Sequence, residues 1–268
     1  MPRSGGLRLT VECIHGLAAG LCDQCSPKPT TDKQAGAPAS TVRPRVIRKP
    51  AKQRRTAPMT ADKPAVVDAG AKRIFHVTHV RNLSSIVSSG RLFADAAGAA
   101  PIVDISSPEN REQRRATDVG AGGTVANYVP FFLAPNAYVW DELRAQAADD
   151  RLSPDVRRTP ASDFVVLVST VRAAGQKAVI ADRDAADPLT RFTALAGLAE
   201  LGERLPRRLG DENAELAAEF LVRDSFPFDQ VTLISVANDK ARGEVRAILQ
   251  SSAFSPKIAV YPPWFQRA

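Results

Sequence analysis

The chain has 268 residues, of which 44% are hydrophobic and 6% aromatic, which is enough apolar content for one large domain or two small ones. Its formal charge of +7 at pH 7 favours an acidic partner such as nucleic acid. No apolar run approaches the roughly 18–20 residues that a membrane-spanning helix needs, and the first twenty residues lack the apolar core of a signal peptide. We therefore expect a cytoplasmic protein with no membrane association.

Residues 1–26 form a short module that contains every cysteine of the chain. Cys13, His15, Cys22 and Cys25 follow a C-x-H-x6-C-x2-C pattern, which supplies the ligand number and softness of a tetrahedral zinc site. Their clustering in one window argues against a disulfide framework. Four protein ligands leave no open coordination position, so we expect the zinc to be structural. The alternative is a set of reduced cysteines without metal.

Residues 27–71 are rich in Pro, Ala, Thr, Lys and Arg and show no apolar periodicity. Ten basic residues and two aspartates lie between Lys28 and Lys63, so most of the net charge belongs to this segment. Such a composition cannot bury enough apolar surface to offset its ordering entropy, which predicts a disordered basic linker. The linker attracts phosphates non-specifically or merely spans distance, and the two roles are compatible.

Residues 72–268 form the large domain, in which short β-rich runs alternate with helical stretches. The predicted strands are residues 73–78, 125–133, 163–171, 178–181, 217–222, 230–237 and 257–261. The predicted helices are residues 82–89, 109–115, 138–148, 190–204 and 241–250. No glycine-rich turn links a strand to a helix, which argues against a Rossmann nucleotide site. The pattern predicts an α+β domain with a mixed, mainly antiparallel sheet.

Two helix boundaries carry capping signals. Gly90 suits the C-terminal cap of the first helix, because glycine adopts the left-handed conformation without strain. Ser107 followed by Pro108 predicts an N-cap and a first-turn proline for the second helix.

Several segments are informative together: residues 74–80 (IFHVTHV), 110–116 (NREQRRA), 122–124 (GGT) with 127–132 (NYVPFF), and 218–222 (AEFLV). In this order and spacing they resemble the DarT family, which transfers ADP-ribose from NAD to a base in single-stranded DNA. The resemblance covers roughly residues 72–265. It implies a sheet of the ADP-ribosyltransferase type, NAD as co-substrate and single-stranded DNA as acceptor, with thymine as the expected base.

Glu219 matches the catalytic glutamate of the family. Cleavage of the bond between nicotinamide and ribose passes through a sugar cation like that of glycoside hydrolysis, so a carboxylate must lie beside the anomeric carbon. Glu219 stands in an otherwise apolar run, where burial would raise its pKa and help it accept a proton from the acceptor nitrogen or hold the ribose 2′-hydroxyl. The alternative is a glutamate that points outward from an edge strand.

His76 and Thr78 share one face of the first predicted strand, with Phe75 and Val77 on the face toward the core. The resemblance implies that this strand binds NAD, with His76 and Thr78 near its ribose or nicotinamide amide. His79, at the strand end, and Asn82 are further candidates for cofactor contact. The alternative is that the histidines belong to the core.

The resemblance also implies a catalytic arginine in the run QRR, so Arg114 and Arg115 are candidates, with Arg114 preferred. A guanidinium suits a pyrophosphate or a base better than an ammonium does; the alternative is a solvated helix face. Tyr128 and Phe131 are candidates for a stacking platform that binds a nucleic-acid base, and core packing is their alternative.

The chain departs from the family pattern after the NYVPFF run. Family members continue there with a basic and serine-proline stretch, whereas this chain has APNAYVW at residues 134–140. RNA and protein therefore stay open as acceptors beside DNA, as does an inactive, zinc-bearing nucleic-acid-binding protein. The presence of candidate catalytic residues argues against the last alternative. The resemblance further implies a toxin or phage-defence effector with a macrodomain antitoxin as partner.

Overall fold

The computed structural model describes residues 68–267, apart from residues 99, 121–122, 176–177 and 195–211. The cysteine and histidine module and nearly all of the basic linker lie outside the described residues, so the zinc site at Cys13, His15, Cys22 and Cys25 stays a prediction. Within the described residues, no helix is both long enough and apolar enough to span a membrane.

The described strands and helices are numbered here in chain order. The strands are β1 Arg73–His79, β2 Arg91–Phe93, β3 Tyr128–Phe132, β4 Phe164–Thr170, β5 Ala178–Ala181, β6 Phe192–Ala194, β7 Glu219–Arg223, β8 Ser225–Pro227, β9 Leu233–Val236 and β10 Lys257–Val260. The α-helices are α1 Leu83–Ser89, α2 Pro108–Ala116, α3 Tyr138–Arg144, α4 Val171–Ala174, α5 Glu212–Ala217 and α6 Asp239–Leu249.

Eight of the described strands form one sheet in the order β10-β9-β4-β1-β3-β7-β5-β6. Only the pair β9–β10 is parallel, and every other described pair in the sheet is antiparallel. Strands β2 and β8 form a separate antiparallel pair. The prediction of an α+β domain with a mixed, mainly antiparallel sheet is confirmed.

The core lies on both faces of the sheet, because β4 (FVVLVST) is apolar at nearly every position and is buried on both sides. On one face, Val165 and Leu167 belong to a cluster that includes residues of α1 and α6. On the other face, Phe164 contacts Trp140, with ring centroids 5.8 Å apart. Each fully buried side chain of this size stabilises the fold by roughly 1.5–3 kcal/mol, so the sheet gives the site a rigid base.

Both capping predictions are confirmed. The Ser107 Oγ accepts a hydrogen bond from Asn110 N at 3.1 Å, and Pro108 opens α2. Gly90 ends α1 with a left-handed φ of 69°. Since α2 starts at Pro108, Asn110 and Arg114 lie four residues apart on the same face of the helix.

Three predicted elements differ from the structure. Residues 125–127 form a 3-10 turn before β3, and α3 ends at Arg144, where Gln146 then takes a left-handed φ of 52°. The predicted helix over residues 190–204 is wrong at its start, because Phe192–Ala194 pairs with β5 as β6. Residues 195–204 lie outside the described residues. Pairing with β5 gives the backbone N–H and C=O groups of this segment the hydrogen bonds that a helix would otherwise provide. Phe192 also packs against a buried hydrophobic cluster at this side of the sheet.

Candidate active site

A cavity opens where β1 and β3 diverge at the middle of the sheet. Among the described residues, the ladder between the two strands consists of the pair Phe75–Phe132, although β1 continues to His79. His76 Nδ1 donates a hydrogen bond to the Pro130 carbonyl oxygen at 2.8 Å, which holds the strands together at the start of the opening. The cavity has a volume of about 400 Å³, within the range of small-molecule sites.

Glu219 opens β7 and lies in the wall of this cavity. Strand β7 is flanked on both sides, with Glu219 paired to Phe132 of β3 and to Ala181 of β5. The residue is only 3% exposed. The alternative of an outward-pointing glutamate on an edge strand is therefore wrong.

Three donors converge on the Glu219 carboxylate. Arg114 Nη1 and Nη2 donate to its two oxygens at 3.2 and 3.0 Å, and Ala185 N donates to Oε1 at 2.8 Å. Two parallel N–H···O bonds make this the bidentate geometry in which arginine holds a carboxylate most firmly. These donors stabilise the negative charge that burial alone would disfavour.

Arg114 stays charged in this position despite its burial. Desolvation acts to lower the pKa of the guanidinium, but the charge of Glu219 and its hydrogen bonds outweigh that effect and raise the pKa above its usual value. Arg114 lines the cavity from the last turn of α2, so the structure brings Arg114 and Glu219 together as the sequence motifs indicated.

His76 and Thr78 also line the cavity, on the same face of β1. Desolvation lowers the pKa of His76, although its hydrogen bond to the Pro130 oxygen acts in the opposite direction. Since a carbonyl only accepts, this bond fixes the neutral tautomer with the proton on Nδ1 and leaves Nε2 as an acceptor. Ile74, on the same face, belongs to the core, so only the second half of β1 faces the cavity.

Asn82 lines the cavity, and its amide is engaged within the protein. Its Nδ2 donates to Thr78 Oγ1 at 3.1 Å and to the Val103 carbonyl at 2.8 Å, while its Oδ1 accepts from Val103 N at 2.8 Å. Asn82 therefore holds the loop that precedes α2 against β1. It also orients the Thr78 hydroxyl.

His79 and Arg115 line a neighbouring groove instead of the main cavity. His79 Nδ1 accepts a hydrogen bond from Arg81 N at 3.1 Å, and its ring packs on Phe164 with centroids 5.3 Å apart. Arg115 is about half exposed and pairs with Asp95 at 2.9 Å. The structure does not bring these two candidates to Glu219.

The two aromatic candidates have different surroundings. Tyr128 lines the cavity and is 3% exposed. Phe131 is fully buried, where its ring lies 5.5 Å from that of His76 and 4.9 Å from that of Phe226. These contacts correct the expectation of a stacking platform at Phe131, because a ring enclosed on both sides offers no face to a base.

The structure adds a charge network that sequence motifs did not indicate. Arg151 donates to Asp184 at 2.7 Å and to Asp149 at 2.8 Å, and it also pairs with Glu142. These hydrogen bonds, that to Asp149 foremost, raise the pKa of Arg151. Burial raises the pKa of Glu142 to about 6. Asp184 directly precedes Ala185, whose amide binds Glu219, so the network belongs to the site; no spacing in the sequence signals it.

Asn110 is a further residue of the cavity that the motif analysis did not select. It is 8% exposed, and its Oδ1 has no hydrogen-bond partner among the described residues. Its Nδ2 donates to Ser106 Oγ at 3.3 Å. A buried polar atom without a partner is uncommon in folded proteins and marks a position at which a ligand can bind.

Comparison with known proteins gives one family. The model of DarT, the ssDNA thymidine ADP-ribosyltransferase, matches residues 75–266. A DNA ADP-ribosyl transferase of Thermus sp. (strain 2.9) is 27% identical over 202 residues, which are 72% of this chain and 95% of that protein. A DNA ADP-ribosyl transferase of Thermus aquaticus is 26% identical over 201 residues, which are 72% of this chain and 89% of that protein.

Solved structures share the fold. Thermus sp. 2.9 DarT in complex with ADP-ribosylated ssDNA gives a TM-score of 0.59 at 24% identity, covering 73% of this chain and 96% of that one. The same protein with NAD+ gives 0.58 at 22% identity, with 73% and 98% covered. Thermosipho africanus DarTG in complex with ADP-ribose gives 0.55 at 12% identity, with 72% and 51% covered. Because the family model matches well over half of its length, the chain belongs to the DarT family of single-stranded-DNA thymidine ADP-ribosyltransferases.

Proposed function

We propose that this chain transfers ADP-ribose from NAD to a thymine base in single-stranded DNA and releases nicotinamide. The observation that carries the proposal is the bidentate pair of Arg114 and Glu219 in the wall of the cavity, within a chain of this family. The cavity volume of about 400 Å³ and its mixed polar and apolar lining suit a dinucleotide held in part at the surface.

The chemistry requires a carboxylate beside the reacting sugar. The bond between ribose C1 and the nicotinamide nitrogen breaks with its electron pair on nicotinamide, and Glu219 stabilises the cation that develops on the sugar. A new bond forms between C1 and a ring nitrogen of the base, whose proton passes to the Glu219 carboxylate. Arg114 and Ala185 N keep the carboxylate in one position, so no reorganisation is needed in the transition state.

The remaining cavity residues suit the binding of NAD. His76 Nε2 is an acceptor for a ribose hydroxyl or the nicotinamide amide, and Thr78 supplies a hydroxyl on the same face. Asn82 orients Thr78 and thereby contributes to the same part of the site. Arg114 provides the positive charge that a pyrophosphate or an activated base requires.

The test is transfer of labelled ADP-ribose from NAD, with single-stranded DNA, duplex DNA, RNA and total protein offered side by side. We expect label on single-stranded DNA, and its loss in Glu219→Gln while NAD binding is kept. The matched control is Glu244→Gln in α6, a partly exposed glutamate that does not line the cavity. Label on RNA or protein would keep the transfer reaction and show that the acceptor is not single-stranded DNA. The absence of label on every substrate would favour an inactive binding protein.

We also propose that the enzyme acts as a toxin or defence effector whose modification a macrodomain antitoxin removes. Support comes from the family match and from the Thermosipho africanus DarTG structure in complex with ADP-ribose. We expect induced expression to arrest growth in a manner that Glu219→Gln abolishes. Growth arrest that persists in this variant would contradict the proposal.

For the N-terminal module we propose a structural zinc ion held by Cys13, His15, Cys22 and Cys25. The support is the ligand spacing, since a module this small depends on metal for its folding. Cys22→Ser is expected to release zinc, measured by elemental analysis, and to leave transfer to short oligonucleotides largely intact. Equal zinc content in the variant and the parent protein would overturn this assignment.

A further inference from the structure

Four described arginines line the main cavity, and three of them face carboxylates. Arg111 pairs with Asp95 and Asp104, Arg114 with Glu219, and Arg151 with Asp184. Arg91 differs, because the described part of the chain gives it no carboxylate partner. Its Nε donates to Ser225 Oγ at 2.9 Å, which orients the guanidinium and leaves its positive charge uncompensated at the cavity.

Phe93 follows two residues later on the same strand. In β2 the burial alternates, so that Arg91 and Phe93 are exposed while Leu92 between them is buried at 2% exposure. Pairing of Leu92 with Phe226 of β8 fixes the strand, and alternate residues of a strand lie about 6–7 Å apart on one face. Phe93 is 41% exposed and lines the cavity, so it places an aromatic ring in solvent at the rim.

We propose that Arg91 and Phe93, called here the β2 edge, bind the single-stranded DNA acceptor. The Phe93 ring stacks on a base that neighbours the modified one, and Arg91 binds an adjacent backbone phosphate. This inference rests on the proposed function, because it concerns the acceptor of that same site.

The chemistry of the two side chains fits a single strand. A base that enters an enzyme cavity leaves its neighbours without a stacking partner, and an aromatic ring replaces that partner without sequence preference. A guanidinium that holds no carboxylate is free to bind a phosphate in bidentate geometry. Among the described Phe, Tyr and Trp residues that line the cavity, Phe93 is the most exposed.

The position of the β2 edge favours the acceptor over NAD. Glu219 is 3% exposed, so the ribose whose C1 reacts beside Glu219 lies deep in the cavity. The acceptor strand must reach that sugar from the solvent side, and the exposed rim is where Arg91 and Phe93 lie. The rim therefore contacts the chain of nucleotides that extends away from the modified base.

The experiment uses the full chain and a fluorescently labelled oligothymidine, with binding measured by anisotropy in the absence of NAD. Phe93→Ala is expected to weaken binding roughly five- to 150-fold, and Phe93→Tyr to restore it, because the ring is the interacting group. Arg91→Gln is expected to reduce the slope of log affinity against log salt concentration by about 0.7, the value for one phosphate contact on a single strand.

Two control variants match these changes away from the cavity lining. Tyr138→Leu removes an aromatic ring of similar exposure, and Arg246→Gln removes one positive charge from an exposed position of α6. Both are expected to bind the oligonucleotide like the parent protein. Steady-state transfer then gives separate KM values for the oligonucleotide and for NAD, and only the former is expected to rise in Phe93→Ala.

The inference is overturned if Phe93→Ala and Arg91→Gln bind the oligonucleotide like the parent protein, or if their KM for NAD rises instead. A parent protein that binds the oligonucleotide but transfers no ADP-ribose to it would overturn the proposed function. That second failure is distinguishable, because the binding measurement requires neither NAD nor transfer.

Discussion

Arg114 and Glu219 form an ion pair whose side chains are only 14% and 4% exposed. Removal of one partner leaves a buried charge without compensation, which typically destabilises a protein by about 3–5 kcal/mol. We therefore expect Arg114→Met, which keeps most of the side-chain volume, to lower the free energy of unfolding by about 3 kcal/mol at neutral pH. The double variant Arg114→Met, Glu219→Gln is expected to recover more than half of this loss, as measured by urea denaturation.

The control for this prediction is Arg242→Met. Arg242 pairs with Asp239 in α6 at 2.8 Å, the two side chains are 37% and 78% exposed, and a surface pair of this kind contributes at most about 1 kcal/mol. Equal losses in Arg114→Met and in the double variant would show that packing of the arginine side chain, and not its charge, provides the stabilisation.

Only part of the candidate site could be predicted from the sequence, namely the residues that belong to sequence motifs. Glu219 and Arg114 were predictable because the runs AEFLV and QRR match the order and spacing of the motifs of the family that the chain resembles, whereas a glutamate in an apolar run alone left the outward-pointing alternative open. The surroundings of His79 and Phe131 were not predictable, because they depend on which elements pack beside β1 and β3. Phe93 gives no local signal either, since a lone aromatic in a three-residue strand resembles any core residue.

At the scale of an element, the loop between β5 and β6 positions the Glu219 carboxylate. Asp184 Oδ2 accepts from Arg151, its Oδ1 accepts from Ala186 N at 2.8 Å, and the intervening Ala185 N donates to Glu219. We expect Arg151→Met to loosen this loop and to lower kcat roughly 10- to 100-fold, since small displacements at a reacting centre have effects of this size. The KM for NAD is expected to change less than kcat, which steady-state kinetics can measure.

The matched control is again Arg242→Met, because Arg242 pairs with an exposed carboxylate in α6 and does not line the cavity. A positioning role also predicts that Asp184→Asn, which keeps an acceptor for Ala186 N, retains more activity than Asp184→Ala. If Arg151→Met raises the KM for NAD and leaves kcat unchanged, Arg151 contacts the substrate and does not act through the loop.

The element boundaries were predictable where local chemistry determines them. Ser107 with Pro108 and Gly90 define the ends of their helices through capping bonds within a few residues. The strands β2, β6 and β8 have three residues each and are stabilised by pairing with another strand. Strands β2 and β8 pair with each other over a long distance in sequence, and β6 pairs with β5 across a loop. For this reason the run at residues 192–194 is a strand, although its composition also suits a helix.

At the scale of the whole molecule, the cavity exists because the strands that surround it, β1, β3 and β7, are neighbours in the sheet but not in sequence. Strand β1 lies between β3 and β4, and β3 pairs in turn with β7. This order places Glu219 of β7 at the same cavity as His76 of β1. The antiparallel character of the sheet was predictable from short strands and from the absence of a glycine-rich turn between a strand and a helix. The opening between β1 and β3 was not predictable, because it depends on how far the two strands pair, which contacts distant in sequence determine.

His76 and His79 of β1 give the whole molecule a dependence of stability on pH. Desolvation lowers the pKa of both His76 and His79 from the ordinary value of 6.5. The unfolded chain therefore binds more protons than the folded protein as the pH falls through about 6.5, so acidification through this window lowers the free energy of unfolding. Glu142 acts with the opposite sign, because burial raises its pKa to about 6 and the folded protein then binds the extra proton.

We expect the free energy of unfolding to fall between pH 7.5 and 6.0, by at most about 1.4 kcal/mol per pH unit for each histidine that stays neutral in the folded state. In His76→Gln this slope is expected to be smaller, and in Glu142→Gln it is expected to be steeper, because the opposing carboxyl is gone. Urea denaturation of the parent protein and of the two variants at several pH values measures all three slopes. A slope in His76→Gln equal to that of the parent protein would mean that His76 accepts its proton without unfolding, which the desolvation of the ring opposes.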